Sequence, residues 1–392
     1  MFKKSFVVLS IVLTAAMFLA ACAPAATAAP SASVATTAPA ALAAEPTLAP
    51  GSVQLVAQGA TFPLPIYDVW TKSYQFVDPS VNISYSGTGS GAGKKAIVDG
   101  TVDFAGSDSV LTTEYQTVAD LQMLPMVASA VVPIFNLTSS AKNADGSAIA
   151  ITALVLDRQT LANIFQAKIT NWNDAAIVNL NPTAKLPDSK ITVVHRADSS
   201  GTTEIFTNAL SSLSADFNTT VGHGSTVQFP VDKAGNGLAG KGNPGVAVTV
   251  QSTANSIGYV ELSYAVSNKI SFAQLINKAG KTVTANAASI QAAMGDFASA
   301  FDAHLNAVIV DGSSAGSWPI TGYTYLIVRM QSMKDALKAR KMIEYIKWTL
   351  TDPRAIKLAN DLGYASLPKD VLSLVMAKLD AIKVNGTVVV GQ

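Results

Sequence analysis

The sequence predicts an α/β protein, in which helices pack against β-sheets. Short apolar segments rich in β-branched residues alternate along the chain with segments of helical pattern, and this alternation is typical of that class. About 340 residues follow the first 50, which is enough for two domains of ordinary size. Three of the predicted strand-to-helix junctions also combine a hydroxyl residue with a glycine.

The N-terminal segment 1–22 is predicted to be a lipoprotein signal. A basic start precedes an apolar run, and Leu19-Ala20-Ala21-Cys22 resembles a bacterial lipobox, so we expect Cys22 to carry a lipid. An ordinary secretory signal peptide is the alternative. Residues 23–50 are almost wholly Ala, Pro, Thr and Ser, which is the composition of a flexible tether. The protein would therefore contact the membrane only through its lipid anchor.

Composition limits the kinds of partner. Charged residues make up 14% of the chain and the formal net charge is +1, whereas an average globular protein has roughly 25% charged residues. Nucleic acid is not expected as a partner, because no broad basic surface is available. An anion would have to be held by local geometry. Cys22 is the single cysteine, so no internal disulfide is expected.

The region after residue 50 is predicted to alternate strands with helices in chain order. The predicted strands are 53–56, 81–86, 102–105, 122–126, 131–136 and 191–194. The predicted helices are 63–74, 94–99, 161–165, 174–179 and 204–210. The tryptophans are expected in the core or in the wall of a cleft; they are Trp70, Trp172, Trp318 and Trp348.

Three junctions between a strand and a helix share one chemistry. They are Gly59-Ala60-Thr61-Phe62, Gly89-Ser90-Gly91 and Ser199-Ser200-Gly201-Thr202. The first turn of a helix offers unpaired N–H groups and the positive end of the helix dipole, so it can hold an anion. Arg196 precedes the third junction and adds a charged fork of donors. A shared anion site is therefore predicted, with plain N-capping at each junction as the alternative.

A glycine-rich segment at residues 235–242 fits nucleotide-binding patterns only loosely. It contains G-x-G-x-x-G, but Gly242 stands where a P-loop needs Ser or Thr, and Pro244 follows soon after. We predict a flexible surface loop there. The three histidines are His195, His223 and His304. They lack a second ligand at useful spacing, so neither a metal nor another cofactor is expected.

Several motifs resemble the phosphate-binding protein of bacterial phosphate ABC transporters. They keep their order over nearly the whole chain from about residue 52, which is more specific than any single motif. The motifs are Gly59-Ala60-Thr61-Phe62-Pro63-Leu64-Pro65-Ile66-Tyr67, Thr101-Val102-Asp103-Phe104, Ser107-Asp108, His195-Arg196-Ala197-Asp198-Ser199-Ser200-Gly201-Thr202, Val221-Gly222-His223-Gly224-Ser225-Thr226-Val227, Ile257-Gly258-Tyr259-Val260-Glu261, Trp318-Pro319-Ile320-Thr321 and Ala359-Asn360-Asp361-Leu362-Gly363-Tyr364-Ala365-Ser366-Leu367-Pro368.

The resemblance implies a set of phosphate-binding residues at matching positions. That set is Thr61, Phe62, Ser90, Asp108, Arg196, Ser200, Gly201 and Thr202, with Asp198 steadying the arginine. All but Asp108 would donate hydrogen bonds to the ligand. The chain departs from the family at Gly91, where serine is frequent, and at Ser199, where glycine is found.

Asp108 would decide which anion is bound. A carboxylate that faces an anion is repulsive unless the anion carries a proton to share. Phosphate keeps at least one proton near neutral pH, whereas sulfate does not. Sulfate would leave two acceptors facing each other in a dry site, and a buried acceptor without a partner is costly. The expected ligand is therefore inorganic phosphate.

The resemblance also implies the two-lobed, type II periplasmic-binding-protein fold, with the ligand in a cleft between lobes. Lobe 1 would combine 51–135 with 307–392, and lobe 2 would be 136–306. The protein would be a monomeric extracytoplasmic receptor that delivers phosphate to the permease subunits of an ABC importer, and not an enzyme. The alternatives are a phosphate-ester hydrolase, a receptor for another oxyanion, and a surface adhesion or sensing role.

Overall fold

A computed structural model of the chain describes residues 51–389, so the predicted signal segment, Cys22 and the tether lie outside the described residues. The strands are β1 (Val53–Gly59), β2 (Val81–Gly87), β3 (Phe104–Ser107), β4 (Leu121–Lys142), β5 (Ala148–Ile151), β6 (Val155–Leu156), β7 (Thr192–Arg196), β8 (Gly237–Gly240), β9 (Ser256–Glu261), β10 (Gln274–Ile276), β11 (Thr282–Val283), β12 (Thr321–Arg329), β13 (Ala365–Ser366), β14 (Lys383–Val384) and β15 (Thr387–Val388).

Helices alternate with these strands along most of the described chain. They are α1 (Leu64–Tyr74), α2 (Ser90–Asp99), α3 (Glu114–Thr117), α4 (Arg158–Phe165), α5 (Ala175–Val178), α6 (Gly201–Leu213), α7 (Ala215–Thr220), α8 (Pro230–Lys233), α9 (Gly242–Ser252), α10 (Leu262–Ser267), α11 (Ala287–Asp296), α12 (Ala336–Thr351), α13 (Pro353–Asp361) and α14 (Lys369–Leu379). The α/β class predicted from the sequence is confirmed.

A central sheet carries the fold, in the strand order β2-β1-β3-β12-β4-β9-β7-β8. The strands β1, β2 and β3 are parallel, and so are β7, β8 and β9. Between these groups, β4 runs antiparallel to both β12 and β9. Helices α2 and α12 pack against β1, and α9 packs against β9. The carboxyl ends of the parallel strands therefore lead into helix starts, as expected for an α/β sheet.

One long strand replaces two predicted ones. The sequence predicts separate strands at 122–126 and 131–136, but β4 runs without interruption through both. It pairs with β12 as far as Ala130 and with β9 from Val131 onward. The register with β12 shifts near Pro125, because proline has no N–H for the ladder and is tolerated at a bulge. β4 thus connects the two groups of parallel strands.

The prediction of a flexible loop at 235–242 is wrong. Gly237–Gly240 forms β8, which pairs in parallel with β7, and α9 begins immediately afterwards at Gly242. Gly240 lies against the first turn of that helix, where an added Cβ would lie only 2.5 Å from the backbone nitrogen of Val246. The glycine therefore permits close packing of a strand on a helix.

The core is formed by apolar and aromatic side chains. Trp70, Trp172 and Trp318 are fully buried and each donates its indole N–H to a backbone carbonyl, so the polar atom of each ring has a partner. Trp348 is also buried. Within residues 51–389, no helix combines the length and the apolar character that crossing a membrane would require.

Candidate functional site

Helix starts from distant parts of the chain meet at one point. The backbone N–H of Gly201, at the start of α6, donates to Ser90 Oγ, at the start of α2, over 3.1 Å. Asn243, in the first turn of α9, donates both its backbone N–H and its side-chain amide to Thr61 Oγ1, each over 3.0 Å. The same amide donates to Thr202 Oγ1 over 3.1 Å. The three predicted junctions are thus joined by a fourth helix start.

Two threonine hydroxyls at this point are held as donors. Thr61 Oγ1 already accepts two hydrogen bonds from Asn243. Thr202 Oγ1 accepts one from Asn243 and one from Arg196, the latter over 3.3 Å. A hydroxyl has two lone pairs and one proton, so both hydroxyls have their own protons left to donate. Hydroxyls polarised in this way suit an anion.

Arg196 is a buried cation at the end of β7, with a side chain only 2% exposed. Its Nε donates to Asp198 Oδ1 over 2.8 Å, and its Nη2 donates to Asp198 Oδ2. Asp198 also accepts the backbone N–H of Gly242 over 3.0 Å. Burial opposes the charge of Asp198, but the hydrogen bonds and charge of Arg196 outweigh burial and lower the pKa of Asp198. The pair fixes the guanidinium plane.

Asp108 follows β3 and is an acceptor in this group of donors. Its backbone N–H donates to Ser90 Oγ over 3.2 Å, and its Oδ2 lies 3.4 Å from the same hydroxyl. Oδ1 accepts the hydroxyl of Thr324 over 2.8 Å. Burial raises the pKa of Asp108 to about 7, although Thr324, Arg196 and Ser90 each oppose the rise. The carboxyl group can therefore change its protonation near neutral pH.

Tyrosines and a helix cap hold the backbone around these side chains. Tyr364 donates to the carbonyl oxygen of Phe62 over 2.8 Å, and Tyr264 donates to that of Thr61 over 2.5 Å. Ser200 caps α6, since its hydroxyl accepts the N–H of Thr203 over 3.1 Å. The plain capping role expected as an alternative thus holds for Ser200, while the side chains of Thr61 and Ser90 do not cap their own helices.

The structure brings together all the residues that the resemblance implies as phosphate ligands. These are Thr61, Phe62, Ser90, Asp108, Arg196, Ser200, Gly201 and Thr202, together with the supporting Asp198. The predicted lipid site Cys22 lies outside the described part of the chain. His195 contacts Asp232 and Phe229, in keeping with a structural role. Among the described residues, no group of His, Cys, Asp or Glu is arranged to hold a metal ion.

Sequence reasoning missed Asn243 and Thr324. Both are fully buried, and both contact predicted site residues. Asn243 offered one signal, since an asparagine follows directly on a glycine-rich segment at a helix start. Thr324 offered none, because it lies within the apolar strand β12, and its contact with Asp108 joins residues far apart in sequence.

Comparisons with known proteins give one consistent result. A family model for a PBP superfamily domain matches residues 30–353. The phosphate-binding protein PstS of Xylella fastidiosa (strain 9a5c) is 39% identical over 328 residues, which cover 83% of this chain and 85% of the relative. The phosphate-binding protein PstS of Pasteurella multocida is 34% identical over 324 residues, covering 83% of this chain and 89% of the relative.

Solved structures agree on the fold. A phosphate-binding protein from Stenotrophomonas maltophilia has a TM-score of 0.62 at 24% identity, and the match covers 86% of this chain and 97% of that one. A high-affinity periplasmic phosphate-binding protein bound with phosphate has a TM-score of 0.64 at 22% identity, with coverage of 86% and 97%. At these identities the structures establish a shared fold. With the sequence relatives, they show that this chain belongs to the PBP superfamily and, within it, to the family of the phosphate-binding protein PstS.

Proposed function

We propose that this protein is an extracytoplasmic receptor that binds inorganic phosphate and delivers it to an ABC importer. The observation that carries the proposal is the polarity of the site. Hydroxyls that already accept hydrogen bonds, two adjoining helix starts and a fixed guanidinium converge beside one carboxyl group. The relatives named phosphate-binding protein PstS support the same ligand.

The binding energy would come from local donors. The phosphate oxygens would receive hydrogen bonds from the hydroxyls of Thr61 and Thr202, from Arg196, and from backbone N–H groups at the starts of α2 and α6. A hydrogen bond to a charged group contributes roughly 1.5–3 kcal/mol. The chain has a net charge of only +1, so the fixed arrangement of donors, and not an overall field, would hold the dianion.

Selectivity would come from Asp108. Its carboxylate would accept the proton that phosphate carries, and it would oppose sulfate, which has no proton to give. Because burial raises the pKa of Asp108 to about 7, the group would work as an acceptor at and above neutral pH. The alternative of a receptor for another, fully deprotonated oxyanion is disfavoured for the same reason.

Two lobes would close on the ligand. We propose lobe 1 as 51–135 with 307–392 and lobe 2 as 136–306, which assigns Ser90 to one lobe and Gly201 to the other. Support comes from β4, which exchanges β12 for β9 as its partner at Val131, close to the proposed boundary. A ligand that contacts both lobes favours the closed arrangement, as in hinge closure around small ligands.

The proposal includes a location and partners. Lipidation at Cys22 and the tether 23–50 would hold a monomeric receptor at the membrane, where it would meet the permease subunits of the importer. No cofactor and no catalytic step are assigned to the protein. Replacing Cys22 by serine should release the protein from the membrane fraction, and persistence of an acyl-linked form would contradict the lipoprotein assignment.

Calorimetry of the purified protein, dialysed free of phosphate, tests the function. We expect binding of phosphate, competition by arsenate, which shares the shape and protonation of phosphate, and much weaker binding of sulfate. Failure to bind phosphate would overturn the proposal. The hydrolase alternative would need a nucleophile, and Ser109, which directly follows Asp108, is the candidate. Hydrolysis of a chromogenic phosphate ester by the same preparation, abolished by Ser109→Ala, would support that alternative instead.

A further inference from the structure

Asp108 accepts a hydrogen bond from a second hydroxyl, which does not belong to the predicted ligand set. Thr324 lies on β12, is fully buried, and donates its hydroxyl to Asp108 Oδ1 over 2.8 Å. The other carboxyl oxygen, Oδ2, lies on the side of Ser90. The two oxygens of Asp108 therefore have different surroundings, one facing the strand and one facing the converging helix starts.

A third hydroxyl, that of Tyr67, neighbours Thr324. Tyr67, on α1, is buried, and its hydroxyl has no hydrogen bond within normal limits among residues 51–389. Burial raises the pKa of Tyr67 strongly, and a side-chain interaction with the neighbouring Thr324 partly opposes that rise. A tyrosine hydroxyl donates readily, and Thr324 Oγ1 has lone pairs free to accept. If the hydroxyl of Tyr67 moved slightly closer to Thr324 Oγ1, a chain of hydrogen bonds would run from Tyr67 to Thr324 to Asp108.

We propose, on the basis of the function proposed above, that Thr324, oriented by Tyr67, is a positioning residue that keeps Asp108 a hydrogen-bond acceptor toward the ligand. The hydroxyl proton of Thr324 occupies Oδ1, so Oδ1 cannot readily carry a proton of its own. A donor that serves the charged form of a carboxyl group favours that form. Thr324 would thus preserve the acceptor on which discrimination between phosphate and sulfate depends.

Other charged and titratable groups also face Asp108 and set the background for this effect. Arg196 favours the carboxylate, whereas the buried Glu261 disfavours it. The tyrosines that sense Asp108 electrostatically are Tyr67, Tyr85, Tyr264 and Tyr325. Valine has nearly the same shape as threonine and leaves all of these groups in place. Thr324→Val therefore isolates the contribution of the hydroxyl, including its link to Tyr67.

Sulfate is the probe for the test, because it does not titrate over the working pH range. It should bind only when Asp108 is itself protonated, so the affinity of the full-length protein for sulfate should fall as pH rises through about 7. In Thr324→Val, the midpoint of this fall should move upward by about one pH unit, since a hydrogen bond to a charged group is lost. Tyr67→Phe should move it in the same direction by less.

Matched variants make the result specific. Thr321 lies on the same strand as Thr324, and its buried hydroxyl donates to the carbonyl oxygen of Trp318. Thr321→Val removes this hydroxyl and should leave the midpoint of sulfate binding unchanged. Thr324→Ser restores the donor and should restore the midpoint. Asp108→Asn should bind sulfate with an affinity that does not change with pH over this range. Thermal melting of each variant, without anion, checks that it is folded.

Clear outcomes would overturn the inference. An unshifted midpoint in Thr324→Val, or a shift that Thr324→Ser fails to reverse, would remove Thr324 from this role. If Thr324→Val does not fold, an unshifted midpoint in Tyr67→Phe would overturn the chain of hydroxyls. Lack of sulfate binding to the wild-type protein at pH 5 would also overturn it. Failure of the proposed function is distinguishable, because the wild-type protein would then bind no phosphate.

Discussion

At the scale of single residues, the function proposed above gives Asp108 and Arg196 opposite effects on an anion in one buried site. Arg196 is fixed by Asp198 and would supply the charge that attracts an anion. Asp108, when deprotonated, would repel an anion that brings no proton. Affinity and selectivity would then depend on separate side chains, so a substitution at Asp108 should alter selectivity with little loss of affinity.

Asp108→Asn is predicted to weaken discrimination against sulfate. An asparagine offers an N–H where the carboxylate offered only acceptors, so sulfate would no longer face an unpaired acceptor. A buried acceptor without a partner costs about 1–3 kcal/mol, so the ratio of phosphate to sulfate affinity should fall roughly 5–150-fold. Competition calorimetry at pH 8 measures that ratio, with arsenate as the control because it carries a proton as phosphate does. An unchanged ratio would refute the role of Asp108.

Asn243→Ala is predicted to lower phosphate affinity about tenfold or more while the protein stays folded. The amide of Asn243 orients both Thr61 and Thr202, and without it their hydroxyl protons are free to turn away from the ligand, at roughly 0.5–1.5 kcal/mol for each bond lost. Asn136→Ala is the matched control, since that amide binds only backbone carbonyls of Val250 and Gln251. Equal affinities for the two variants would contradict the prediction.

The site residues show how far sequence reasoning extends. Thr61, Ser90 and Arg196 stand next to predicted helix starts, so local chemistry marks them as donors. Asn243 and Thr324 acquire their roles only through contacts made by distant segments. Their side chains are ordinary for a helix start and for a strand, and the one local signal was the position of Asn243 directly after a glycine-rich segment.

At the scale of elements, the start of α2 fits against the segment before α6 through a small residue. The N–H of Gly91 donates to the carbonyl oxygen of Ser199 over 3.1 Å. A Cβ added at Gly91 would lie 2.4 Å from Ser199 Oγ and 2.5 Å from Ser199 Cβ. Only one of the two positions can therefore carry a side chain at this distance.

Gly91→Ser is predicted to weaken phosphate binding roughly 5–150-fold, because overpacking costs about 1–3 kcal/mol and would hinder the approach of the two segments. The double variant Gly91→Ser with Ser199→Gly should recover most of the affinity, since the side chain then stands on the other partner. Gly91 does not have a positive φ, so serine is not strained by the backbone. Ala92→Ser is the control for adding a hydroxyl to the same turn. A double variant no better than Gly91→Ser would contradict this complementarity.

The elements that were mispredicted share a cause. Residues 235–242 are rich in glycine, which usually indicates a loop, but here Gly240 is required by the close contact of β8 with α9. The two strands predicted at 122–126 and 131–136 are one, because β4 continues from one partner to the next. Packing between elements determined the structure in both regions, and such packing cannot be read from a short stretch of sequence.

At the scale of the whole molecule, Glu261 lies where the two groups of strands meet. It ends β9 opposite Val131 of β4, at the change of partner. Its side chain is fully buried and accepts the hydroxyls of Ser129, over 2.7 Å, and of Ser263. Burial raises the pKa of Glu261 to about 7, although these hydroxyls oppose the rise. A titratable group thus sits at the connection between the proposed lobes.

This position predicts that folding stability falls as pH rises from about 4.5 to about 7. The pKa is higher in the folded than in the unfolded chain, so the stabilisation is fully present below the unfolded value and is lost through the folded one. The full loss is at most about 3 kcal/mol. Glutamine has nearly the same shape as glutamic acid but does not titrate. The folding stability of Glu261→Gln should therefore vary less over this pH range.

Asp108 titrates in the same range, so the comparison is sharpest in an Asp108→Asn background. There, urea unfolding at pH 5 and pH 7.5 should show a decrease in unfolding free energy for the protein that retains Glu261, and a smaller decrease when glutamine replaces it. If both proteins lose the same stability, Glu261 does not change its protonation on unfolding. A difference would mean that protonation of Glu261 strengthens the connection between the proposed lobes. Under the proposed function, Asp108 would need deprotonation to select phosphate, so the two buried carboxyl groups would set opposite pH requirements on one molecule.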